Sequence, residues 1–165
     1  MSSTKRPQTI QPDSASMATP TKTTGKAFLL NLQSRQTLVI GCSLLLLWVS
    51  IAHSLEDFVY GIPARFGLSV ATAALLLGAG YVVQVTGILL ATKGQRSGYV
   101  LTLVTGAVWA IAAALDHLGE VLTIWPYREG VISKALEVGI MLTGVALALV
   151  SLWALLPLLP RRMLH

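Results

Sequence analysis

Charge is what this chain has least of. Only 12% of its 165 residues are Asp, Glu, Lys or Arg, against about a quarter in an ordinary soluble domain. Too few charges remain to coat a chain that is 54% hydrophobic, with a mean hydropathy of +0.70. That balance excludes a soluble globular domain. Cysteine is nearly missing as well. The single Cys42 cannot close an intrachain disulfide or build a metal site alone, and inside an apolar block it reads as a small packing residue. Catalytic signatures are absent: there is no P-loop, nucleophile elbow, His-Glu-x-x-His or dinucleotide fingerprint. No basic patch is interleaved with aromatics, as a nucleic-acid surface requires. Neither an enzymatic activity nor a nucleic-acid partner is expected.

What the chain has in abundance is long apolar runs. Four blocks, at about 37–53, 68–91, 98–118 and 131–158, separate short polar stretches. About 20 apolar residues cross a bilayer as a helix, and in lipid an open chain satisfies its backbone only as a helix. A β-barrel would show alternating segments of about ten residues, and none occurs. The expected fold class is an all-α integral membrane protein with four transmembrane helices and the lipid bilayer as its first partner. Residues 1–35, rich in Ser, Thr, Pro, Gln and Lys with Asp13 as their one acid, bury too little apolar surface to order themselves. They read as a disordered cytoplasmic tail before a transmembrane domain over 36–165. The same composition is shared by organellar transit peptides. The small residues of "VSIA" before His53 also resemble a signal-peptidase site. A polar leader of 36 residues is long for a signal, however, and cleavage would part the first motif from its helix.

Orientation follows from the basic residues. Lys5, Arg6, Lys22, Lys26 and Arg35 in the tail, Lys93 and Arg96 in the middle loop, and Arg161 and Arg162 at the end fall on one side. Both termini are therefore expected in the cytoplasm, in a plasma membrane of the bacterial inner-membrane type, with an organellar membrane as the alternative. All the acids except Asp13 fall toward the opposite, outer face.

That outer face carries a repeat. "HSLEDFVYGIPARFG" contains His53, Glu56, Pro63, Arg65 and Gly67; "HLGEVLTIWPYREG" contains His117, Glu120, Pro126, Arg128 and Gly130. Each copy is His-x-x-Glu, a spacer, then Pro-x-Arg-x-Gly. Because the first and third helices run the same way, the copies suggest two parallel helical hairpins related by an axis along the membrane normal, as in some transporters. From Arg35 to His53 and from Arg96 to His117 the helices rise roughly 27–32 Å, so both histidines lie near the outer boundary of a core about 30 Å thick. Each Glu shares a helical face with its His.

The polar residues suggest chemistry in several ways. His53, Glu56, His117 and Glu120 form a candidate metal site. Two imidazoles and two carboxylates suit a divalent transition metal such as zinc, manganese or iron rather than calcium. The plainer reading is structural pairing of the acids with Arg65 and Arg128. Glu56 with Asp57, and Asp116 with Glu120, crowd helix C-termini where the dipole disfavours acids, so some compensation is required. Glu137 lies seven residues beyond Gly130, inside the fourth helix, where an ionisable group is a functional candidate by default; Lys134 is its local structural partner. Glu137, Asp57 and Asp116 are thus a candidate proton or ion relay. Two histidines at equal depth also admit a haem, which the neighbouring carboxylates disfavour. Tyr81 and Gln84 share a face suited to interhelical hydrogen bonding, and Ala74/Gly78, Gly106/Ala110 and Gly139/Thr143 have small-xxx-small spacing. Trp48, Trp109, Trp125 and Trp153 need no cofactor to explain them.

The function expected from these residues is a cation- or proton-handling carrier with an outward-facing His/Glu cluster, working as a homodimer or in a larger membrane complex. The alternative is a non-catalytic membrane subunit or scaffold that docks a partner; a haem-binding electron carrier ranks third.

Overall fold

The computed structural model describes residues 22–122 and 130–158, with residues 22–31 and 120 described by their backbone alone. Helix α1 spans Lys22–Val59, a single turn α2 Ile62–Arg65, α3 Val70–Thr92, α4 Arg96–Val121 and α5 Val131–Leu155, followed by a 3₁₀ turn at Leu156–Leu158. No strand occurs among the described residues. Helices α1, α3, α4 and α5 are each long and apolar enough to cross a membrane, the mark of a multi-pass membrane protein. Helices α3, α4 and α5 lie over the apolar blocks at about 68–91, 98–118 and 131–158, whereas α1 begins at Lys22, ahead of the first block, and runs on past His53 to Val59. Helix formation propagates cheaply once a nucleus exists, and no Gly or Pro after Gly25 interrupts the chain until Gly41.

The turns come from glycine, proline and serine. Gly67 (φ +69°) precedes α3 and Gly130 (φ +96°) precedes α5, so the paired glycines of the two motif copies both take a left-handed φ that costs other residues energy. Pro63 opens α2 at a position where its missing N–H is harmless. Ser69 caps α3, its Oγ accepting from the Thr72 amide at 3.1 Å.

Helix α5 packs mainly on α4 and α1, and α3 leans on α4. The α4–α5 crossing is a backbone-to-backbone contact. A Cβ at Gly106 would stand 2.7 Å from the Gly144 carbonyl oxygen, and one at Gly144 would stand 2.8 Å from that of Gly106. Of the three small-residue pairs, Gly106/Ala110 lies in this crossing and Gly139 faces Val49 of α1, whereas Gly78 meets nothing within 4 Å.

Side chains are distributed as lipid demands. Leu75, Leu115, Leu142 and Trp48 are turned outward, while Ser43, Ser50, Gln84, Thr102 and Ser151 are buried. The buried hydroxyls are satisfied locally or across helices: Ser43 Oγ donates to Val39 O at 2.7 Å, and Thr102 and Ser151 hydroxyls meet at 2.9 Å. The fully buried Val39, Leu46, Ile140 and Leu147 belong to one apolar core cluster that runs along the bundle.

Candidate functional site

Helices α1 and α4 end on the same side of the bundle, and α5 begins there. This brings His53 and His117 together although 64 positions separate them. Their rings meet edge to face, centroids 5.0 Å apart at 80°, and both side chains are buried. The two rings are in direct contact, with no gap between them.

Each imidazole is flanked by two carboxylates. His53 Nε2 lies 3.4 Å from Asp57 Oδ2, and its Nδ1 lies 4.0 Å from Glu56 Oε2. His117 Nε2 lies 3.1 Å from Asp116 Oδ2, and its Nδ1 lies 3.1 Å from Glu137 Oε1. The contact to Glu137 is set by ion-pair distance rather than by an angularly aligned hydrogen bond. Exposure grades across the group. Asp116 is 42% exposed, Asp57 26% and Glu137 0%. The centre therefore reaches from an accessible acid to one fully withdrawn from solvent.

A cavity of about 150 Å³ lies against this centre, lined by His53, Asp57, Trp109, Ala113, Asp116 and His117. It has room for several waters, each of which takes about 30 Å³ in the liquid. On its inward side Trp109 stacks on Tyr81, with centroids 5.8 Å apart, and donates from Nε1 to Gln84 Oε1 at 3.2 Å. Gln84 Nε2 in turn donates to Ser43 O at 3.2 Å, and the hydroxyls of Tyr81 and Ser54 are 3.1 Å apart. The expected hydrogen-bonding role of Tyr81 and Gln84 is what the structure shows.

The sequence-derived site is regrouped. Of the four residues expected to bind a metal, His53, Glu56 and His117 lie at the centre, and the Glu120 side chain falls outside the described residues. Among the described residues, no three His, Cys, Asp or Glu side chains are arranged to hold a metal ion. Asp57 is nearer to His53 than Glu56 is, because position i+4 brings it round to the ring's Nε2. Glu137 lies in the same centre as the histidines, 3.1 Å from His117 Nδ1. Arg65 stands exposed on α2, Lys134 is half-buried one turn before Glu137, and Arg128 lies outside the described residues. Trp109 was not expected at the site. Its one signal was its spacing, two helical turns before His117 on the same face of α4.

No protein-family model, curated protein or solved structure matches this chain.

Proposed function

We propose that this protein is a proton-handling membrane carrier whose exchange centre is His53, His117 and Glu137, with Asp57 and Asp116 linking it to the outside. The observation that carries the reading is His117, with a carboxylate oxygen 3.1 Å from each ring nitrogen. A neutral imidazole has one N–H and one lone pair. With both acids ionised, one of the two contacts therefore sets a lone pair against an anion. One added proton, on the ring or on a carboxyl group, makes both contacts attractive. A centre built this way takes a proton from exposed Asp116 and holds it beside buried Glu137. His53, 5.0 Å away, has a looser version, with Asp57 at 3.4 Å from one ring nitrogen and Glu56 at 4.0 Å from the other.

The basic residues that flank the helices support an outward-facing centre with both termini in the cytoplasm, in a plasma membrane. The repeated motif, whose last glycine has a positive φ in both copies, supports two parallel hairpins of common design. Arg65 and Lys134 are assigned to structural pairing. The competing reading, a non-catalytic membrane subunit, draws support from α3, most of whose surface, including Gly78, is left uncovered by the rest of the chain.

The test is proton uptake by proteoliposomes loaded with a pH-sensitive dye under an imposed potential. Wild-type protein should acidify the lumen, and His117→Gln should fall to the level of empty vesicles. Equal flux in folded wild type and His117→Gln would end the carrier reading.

A further inference from the structure

The cavity beside the histidines has a neighbour. A second cavity, of about 200 Å³, lies beneath α2 and shares Asp57, Trp109 and Asp116 with the first. Apart from Ser54, the remainder of its wall is apolar, built chiefly from Phe58, Ile62, Phe66 and Leu77. With three residues common to both, the cavities adjoin across Asp57, Trp109 and Asp116, and are taken together as two chambers of a cleft. Both are bordered by the two carboxylates; the second adds an apolar, aromatic wall and the first the two imidazoles.

We infer that this cleft binds a small amphipathic organic cation, an ammonium group carrying a compact alkyl or aryl substituent. The cation would sit between the Asp57 and Asp116 carboxylates, with its apolar part under α2. The two chambers select that class jointly. The carboxylates repel anions, and a neutral apolar molecule would cover them without replacing their hydration. An inorganic ion would leave the apolar chamber unused, and the described residues hold no three-ligand arrangement for a metal. An organic cation satisfies both walls. Trp109, which lines both chambers, adds an indole ring, the best of the aromatic partners for a cation. No Lys or Arg lines either chamber among the described residues. Their volumes lie at or below the small end of ligand sites, which run from about 300 Å³ upward, so the ligand is compact. The inference gives the proposed carrier its substrate class and rests on that reading for its physiological meaning; binding itself is measured without any transport.

The test is calorimetric titration of the detergent-solubilised full chain with benzyltrimethylammonium, beside its neutral carbon isostere neopentylbenzene. Saturable binding of the cation is expected, about tenfold or more tighter than that of the isostere. Asp57→Asn/Asp116→Asn, nearly unchanged in shape, should weaken cation binding by about tenfold or more. Leu77→Trp fills the apolar chamber from α3 without altering either carboxylate and should reduce binding to a similar extent, which keeps the test decisive if the Asn pair does not fold. No saturable binding by wild type, equal affinity for the isostere, or undiminished binding in folded Leu77→Trp would each overturn the inference. Proton flux that depends on His117 without cation binding would keep the carrier and discard this substrate. Cation binding without flux would keep the site and discard the carrier.

Discussion

Glu137, with none of its side chain exposed, lies 3.1 Å from Nδ1 of His117 on the neighbouring helix. A buried carboxylate is expensive unless something compensates its charge, and the imidazole is placed to do so. Glu137→Gln keeps the shape and removes the charge. It should change stability by no more than about 1 kcal/mol while lowering proton flux to the level of His117→Gln. Glu137→Ala, which leaves a void between α4 and α5, should cost about 2 kcal/mol or more. Thermal unfolding in detergent beside the flux assay reads both effects, and full flux in Glu137→Gln would remove Glu137 from the exchange centre.

The contact between His53 and His117 predicts energetic coupling. Residues that touch fail to add in double-mutant cycles by about 0.5–3 kcal/mol. His53→Ala and His117→Ala should therefore destabilise the protein non-additively when combined. Strict additivity would show that the two rings do not meet in the membrane.

The α4–α5 crossing makes a contrast between two glycines. Gly106→Ala places a methyl group 2.7 Å from the Gly144 carbonyl oxygen, an overpacking that costs about 1–3 kcal/mol. Gly78→Ala meets nothing within 4 Å and should be neutral or stabilising by up to about 1 kcal/mol, the difference in helix propensity. A comparison of their melting temperatures checks the crossing. Similar values would place it elsewhere.

Gln84 joins three helices, donating to Ser43 O on α1 and accepting from Trp109 Nε1 on α4. Interhelical hydrogen bonds in membranes contribute about 0.6 kcal/mol each. Gln84→Leu should thus cost about 1 kcal/mol and Trp109→Phe about half as much, as measured by unfolding in detergent. A loss above about 3 kcal/mol in Gln84→Leu would mean that this glutamine does more than bridge helices.

Much of this architecture could be read before any coordinates. Hydrophobic blocks with few charges dictate spanning helices, because lipid offers the backbone no other partner. The positions of α3, α4 and α5 follow from where those blocks start and stop. The start of α1 does not, since a polar stretch without a strong breaker continues a helix that the apolar segment has already nucleated. The glycines of the repeated motif marked turns, and Gly67 and Gly130 are the left-handed positions that precede α3 and α5.

The candidate site was legible only in part. The sequence named His53, His117, Asp57, Asp116 and Glu137, because ionisable side chains at membrane depth are rare enough to be noticed singly. It set Glu56 beside His53 by the i+3 rule, whereas the actual rotamers place Asp57 closer. Which residues meet was decided by tertiary structure alone. Contact between α4 and α5 depends on a glycine-to-glycine crossing that fixes how far each helix is rotated about its axis, and that rotation aims His117 at Glu137. Residue spacing within one helix determines which side chains share a face. It says nothing about which face of the next helix they will meet, and that is why the acid–imidazole centre and its cleft exist only in the folded bundle.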